Sequence, residues 1–299
     1  ATVLSNSIRY NNLDVIETGY GISLRPLSIF ANEVYKNSNT DQFKVKLTGT
    51  DADQYTEKDK LLSARMYKAI TIILFKLEGQ KVLRRPEFGM ADRLLLDKIN
   101  YTDKTITLAD KVYPMLDCDF PTIDPADPYT LTEEENHVIN QLTDSFENSE
   151  KLQRHIRYLY SKGGLYKVCN ENLLFHGCIP MNDDGSLMTF TIGGKERSGK
   201  RFLDYAEKTA RKAYYDKRGS EERQFGMDFL WWLWAGRNSP IFGRDRMTTF
   251  ERRLITDKST WDEPKNAYYT WYHDPAVCDM LLQEFGLAGP HCHIVNGHI

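Results

Sequence analysis

From residue 165 to the end of the chain, short apolar runs alternate with helical patterns, and this alternation constrains the fold more than any other feature. The runs 165–169 (LYKVC), 172–175 (NLLF), 187–192 (LMTFTI) and 293–297 (HIVNG) have strand length and are rich in Leu, Ile, Val and Phe. Between them, 198–218, 221–234 and 275–286 carry apolar residues at helical spacing, and Gly193-Gly194 marks a turn. Strands alternating with helices predict an α/β chain with layered sheet and helices, whose strand-tip loops carry the chemistry. Two tips set histidine beside glycine: His176-Gly177 follows 172–175, and Gly297-His298 closes 293–297. Glycine there lets the backbone turn sharply or approach another segment closely. Alone, His176 reads equally as a satisfied histidine at a core edge or as a ligand. On neighbouring strands, the two tips could place both imidazoles on one metal ion.

The part before residue 165 reads as mainly helical. Residues 1–38 give two short helical patterns around the turn 17–21 (ETGYG). Residues 57–80 predict a long amphipathic helix whose basic residues mark a solvated face. The alternation in 105–115, after the turn-like 101–104, predicts a hairpin. The proline-rich, acidic 117–135 reads as an ordered loop or linker that closes with a helix start at Thr132. Helices follow over 132–146 and 149–164, stopped by Gly163-Gly164.

The net charge of -3 over 299 residues gives no reason to expect nucleic acid or an anionic membrane as partner. No apolar run approaches the roughly 18 residues of a membrane span, and no signal-peptide pattern opens the chain. Five cysteines without a CxxC pair predict a reducing cytoplasm and exclude a zinc knuckle. The start without Met and the end just past a strand tip predict a piece of something longer.

Several blocks carry a family resemblance: NLLFHGCIP (172–180), SLMTF, GKRFLDYAEKTAR, DFLWWLWAGRNSPIFGRDRMTTFERRLI and HIVNGH, preceded by IRYNNLDVIETGYGISLRPLSIFA (8–31). In this order they resemble the class III, firmicute-type fructose-1,6-bisphosphatases of the calcineurin-like metallophosphoesterase superfamily. The resemblance implies an α/β (α+β) fold, a partial layered core formed by 1–32 and 163–299. A mainly helical insertion with a small hairpin, 33–162, would flank or cap the active-site face.

That superfamily builds a dimetal centre from Asp-x-His, Gly-Asp, Gly-Asn-His, a lone His and Gly-His. Residues 1–167 contain none of the first three. By similarity, His176 matches the lone histidine and His298 the histidine of Gly-His, both on the same ion. The resemblance further implies manganese as activator, in-line attack by metal-activated water, and hydrolysis of the 1-phosphate of fructose 1,6-bisphosphate in cytoplasmic gluconeogenesis. The general acid is expected in the missing Gly-Asn-His motif, so residues 1–299 alone are expected to be inactive. Homo-oligomerisation is left open. The alternatives are a non-catalytic sugar-phosphate-binding or subunit-contact module, and another phosphomonoesterase, such as a protein Ser/Thr phosphatase.

The Gly- and Arg-rich loop 235–247 lies about where related phosphatases carry a phosphate-gripping arginine, and planar guanidinium recognition of phosphate suits Arg237, Arg244 or Arg246. The competing reading is that these arginines pair with nearby acids. The turn 193–200 (GGKERSGK) does not match a phosphate-loop pattern. The cluster 231–234 (WWLW) reads as core and interdomain packing, His291 and His293 as supporting residues, and His137, His155 and His273 as surface or helix-packing ones.

Overall fold

The apolar run 69–75 (AITIILF) occupies the middle of a 28-residue helix, Glu57–Arg84. The computed structural model describes residues 1–47 and 55–298, and this helix organises one of its two units, composed of Ala1–Arg84, Ala91–Leu159 and Thr249–Thr260. Helices Thr2–Arg9 and Arg25–Val34 pack on it, and Phe75 meets Phe250 with ring centroids 5.1 Å apart. The two helical patterns predicted for 1–38 are three helices, because Asn11, in the left-handed region (φ 55°), separates Thr2–Arg9 from Leu13–Tyr20; residues 17–20 of the expected turn are helical, and only Gly21 (φ 68°) turns the chain toward Arg25–Val34.

The long helix corrects one expectation. Its basic residues Lys68 and Lys76 are not on a solvated face; both are fully buried. Every residue from Met66 to Lys76 is buried, so no face of this stretch can be assigned to water. Each ammonium has an acid from the loop side of the unit: Lys68 Nζ lies 2.7 Å from Asp117 Oδ2, and Lys76 Nζ lies 2.7 Å from Glu135 Oε2. Lys76 also donates to the Thr122 and Thr130 carbonyls. A buried charge needs such pairing and hydrogen bonding to offset its lost hydration.

Glu135 has a second task. Thr132 caps the helix Glu133–Asn148, accepting from the Glu135 N–H while Glu135 Oε2 accepts from the Thr132 N–H at 2.9 Å. This is a reciprocal capping box. The predicted hairpin is present as Thr105–Leu108 and Lys111–Pro114, extended to three strands by Ile99–Asn100.

The other unit comprises Arg85–Met90, Tyr160–Thr248 and Trp261–Ile299. Its mixed three-stranded sheet pairs Tyr166–Cys169 antiparallel to Asn172–Phe175, which runs parallel to His293–Asn296 with Phe175 opposite Asn296. The third strand expected over 187–192 is shorter and lies elsewhere: Phe190–Ile192 pairs with Lys195–Arg197 in a separate ribbon. The cause is the turn, since Gly193 and Gly194 both have positive φ (59° and 70°) and fold the chain straight back on itself. Helices Gly199–Tyr215 and Glu221–Ala235 pack tightly because a Cβ at Gly226 would stand 2.6 Å from the Ala213 nitrogen. Trp232 and Leu233 are buried, with Trp232 among Phe190, Phe202 and Phe229, whereas Trp234 is exposed. No helix among the described residues is long and apolar enough to cross a membrane.

Candidate functional site

Parallel pairing of Asn172–Phe175 with His293–Asn296 brings the two histidine-bearing tips to the same end of the sheet. The pairing continues past the strands: the Gly297 N–H donates to the His176 carbonyl at 2.9 Å, and Asn296 Nδ2 donates to the Gly177 carbonyl at 3.2 Å. The rings of His176 and His298 lie with centroids 5.1 Å apart at an interplanar angle of 58°. His298 adopts a left-handed φ of 58°, uncommon outside glycine.

The first glycine is required by a close approach. A Cβ on Gly177 would stand 2.3 Å from the Pro240 carbonyl oxygen and 2.7 Å from that of Ile241, while the Cys178 N–H donates to Pro240 O at 2.9 Å. At Gly297 a Cβ would meet only His176, at ordinary contact distances of 3.5 and 3.8 Å. Gly177→Ala should therefore destabilise this unit by about 1–3 kcal/mol, the usual cost of forced overpacking. Gly297→Ala should change it by less than about 0.5 kcal/mol, as expected where no close contact forms. Urea unfolding of the two variants checks this; equal midpoints would show that the 240–241 backbone yields.

The loop behind Gly177 sorts the three arginines. Arg237 Nε lies 2.8 Å from Asp245 Oδ1 and Arg246 Nη2 lies 2.8 Å from Asp245 Oδ2, so one carboxylate engages both. Arg237 also donates to the Gly89 carbonyl. Arg244 is directed differently, donating from Nη1 to the Glu263 carbonyl at 3.1 Å and pairing by backbone with Lys265. Its charge and that of Lys265 act on His298.

Three residues of this end carry no motif and were not predicted from sequence: Lys265, Asn266 and Tyr269. Buried Asn266 accepts from the Met181 N–H at 3.0 Å and donates to Asn238 Oδ1 at 3.1 Å, while its own N–H donates to Gly243 O. It thus ties three loops together. Tyr269 donates to the His298 carbonyl at 3.3 Å. The expected supporting residues His291 and His293 are exposed, and His155, expected as a surface or helix-packing residue, meets Tyr20 edge-on.

Partial desolvation first, then the neighbouring His176, Arg244 and Lys265, hold the solvent-exposed His298 imidazole below the ordinary histidine range. Each factor disfavours imidazolium and so favours the neutral ring, which has a lone pair for a metal. The ring separation of 5.1 Å fits such an ion. Two imidazoles bound at about 2.0–2.1 Å, at angles from right to tetrahedral, have ring centroids roughly 4.5–5.2 Å apart. Among the described residues, no group of three or more His, Cys, Asp or Glu side chains could hold a metal. Beside the histidine pair, a cleft of about 980 Å³ includes His176, Lys167, Leu174 and Val295 in its lining.

The comparisons agree with the sequence blocks. The family model described as firmicute fructose-1,6-bisphosphatase matches residues 1–299. The protein named fructose-1,6-bisphosphatase class 3 from Clostridium tetani (strain Massachusetts / E88) is 51% identical over 299 residues, covering 100% of this chain and 45% of the relative. Its counterpart from Clostridium botulinum (strain Okra / Type B1) is 49% identical over 299 residues, covering 100% of this chain and 44% of the relative. The chain thus spans less than half the length of these curated relatives. No solved structure matches it significantly. With a match along its whole length, the chain belongs to the firmicute fructose-1,6-bisphosphatase family.

Proposed function

We propose that the protein containing this chain is a metal-dependent fructose-1,6-bisphosphatase of gluconeogenesis, acting in the cytoplasm, and that this chain supplies two imidazole ligands and part of the phosphate grip. The observation that supports this reading is the His176–His298 pair, with centroids 5.1 Å apart at adjacent parallel strand tips in a chain of this family. Neutral imidazoles suit a divalent transition ion, and manganese is the proposed one. When bound, such an ion would polarise a phosphoryl oxygen and lower the pKa of water.

This chain's own residues contribute binding and orientation. His176 and His298 hold their rings at the strand ends, and the Tyr269 hydroxyl restrains the last turn through the His298 carbonyl. Arg244 and Lys265 give the site a positive field, favourable to a phosphate dianion. We assign the general acid to residues outside this chain.

The test is phosphate release from fructose 1,6-bisphosphate by the full-length protein, with and without manganese, beside residues 1–299 alone. Manganese-dependent release of one phosphate by the full-length protein and none by residues 1–299 is the expected result. Comparable turnover by residues 1–299 would overturn the division of labour.

Among the arginines, Arg244 is the proposed substrate ligand. Arg244→Ala should lower kcat/KM by about 2–4 kcal/mol of transition-state stabilisation, the range for removing a preorganised donor at a reacting group. Arg244→Lys should recover only part, because an ammonium cannot reproduce the planar fork. Arg237→Ala and Arg246→Ala should stay within about threefold, since their shared partner is Asp245 and paired surface charges contribute roughly 0–1 kcal/mol. A larger loss at Arg237 or Arg246 than at Arg244 would reverse the assignment.

A further inference from the structure

A second concavity, of about 520 Å³, lies where helices Gly199–Tyr215 and Glu221–Ala235 meet, and shares no lining residue with the cleft beside His176. Its volume falls in the range of small-molecule sites, about 300–1,000 Å³. Tyr205, Lys208 and Lys212 line it from the first helix at helical spacing, and Glu221, Glu222 and Phe225 from the start of the second. Arg85 and Arg197 complete its charged lining.

Both guanidinium groups are held in place by the protein. Arg85 Nε lies 2.9 Å from fully buried Asp228, and its guanidinium carbon sits 5.1 Å from the Phe225 centroid. Arg197 lies over Tyr205 at 4.1 Å and donates to the Ile192 and Lys195 carbonyls. Arg197, Lys208 and Lys212 have no carboxylate partner among the described residues, and neither Glu221 nor Glu222 has a cationic one. Three cations and two carboxylates thus line one cavity without pairing. An anion alone satisfies the cations but is repelled by the carboxylates, and an uncharged polyol uses only the carboxylates. A ligand carrying both a phosphate and hydroxyl donors satisfies both sets.

We propose that this cavity binds a small phosphate ester bearing free hydroxyls, with Arg197, Lys208 and Lys212 on the phosphate and Glu221 and Glu222 accepting from the hydroxyls. Charge-assisted donors of this kind suit phosphate oxygens. The site is separate from the histidine pair and does not rest on the proposed catalytic activity.

Calorimetric titration tests it, using the full-length protein with chelator present and carrying His176→Ala and His298→Ala, so that the strand-tip site is removed. The probes are ribose 5-phosphate, inorganic phosphate and ribose. Ribose 5-phosphate should bind more tightly than either of the others. Lys208→Ala with Lys212→Ala should weaken it at least about tenfold, from the loss of two charged hydrogen bonds. Lys208→Gln alone replaces that variant if its melting temperature shows misfolding. Glu221→Gln with Glu222→Gln should weaken ribose 5-phosphate but strengthen inorganic phosphate. Three results overturn the proposal: no binding of ribose 5-phosphate, binding indifferent to the lysine changes, or glutamine substitutions that strengthen both anions alike, which would leave only a basic patch.

Discussion

His176→Ala or His298→Ala in the full-length protein should lower metal-dependent turnover by more than about 100-fold, because loss of a mere outer partner of a metal-bound imidazole already costs about 10–100-fold. The double variant should be little worse than either single one, since two ligands of one ion fail as a unit. Neither change should alter the melting temperature appreciably. Both rings are exposed at strand tips, and exposed substitutions usually cost less than about 0.5 kcal/mol. Apparent manganese affinity, titrated by activity, should fall alongside turnover. A single variant that retains wild-type affinity would remove that histidine from the ligand set.

The second large effect concerns folding. Lys76→Met should destabilise the helix-centred unit by about 3–5 kcal/mol, because it leaves Glu135 as an uncompensated buried charge. Glu135 is fully buried, and Lys76 is the cation at its Oε2. The same carboxylate caps Glu133–Asn148, so the damage should spread to that helix. Hydrogen exchange under native conditions reads this locally: amides of Glu57–Arg84 and Glu133–Asn148 should lose protection together. Lys200→Met is the control. Lys200 pairs with Asp204 one helical turn away at 2.8 Å with both side chains exposed, a geometry that adds little to stability. Equal loss of protection in the two variants would show that burial of the Lys76 pair carries no special weight.

These two predictions differ in how far the sequence announces them. His176-Gly177 and Gly297-His298 are legible because local apolar runs define the strands, and their adjacency follows if those strands pair. The capping box at Thr132 is legible for the same reason, since its parts lie three residues apart. Lys76 is not. Its partner lies 59 residues away, and a helical pattern cannot distinguish a lysine facing water from one facing a carboxylate delivered by a distant loop. The loop 235–247 shows the same limit: its composition offers three arginines, but the choice of Arg244 depends on where Asp245 points and on Lys265, twenty-one positions along the sequence. Asn266 gives no sequence signal beyond being an asparagine, because its role lies in hydrogen bonds to segments far from it in the chain. Gly193-Gly194 was readable as a turn, but the strand Lys195–Arg197 after it is too short and too charged to stand out.

The central claim is that His176 and His298 share one divalent ion. Anomalous diffraction at the manganese edge from crystals of the full-length protein grown with manganese tests it most directly. One anomalous peak about 2 Å from a ring nitrogen of each histidine is the predicted result, as metal–imidazole bonds require. Manganese peaks that contact only one of these rings, or neither, would contradict it.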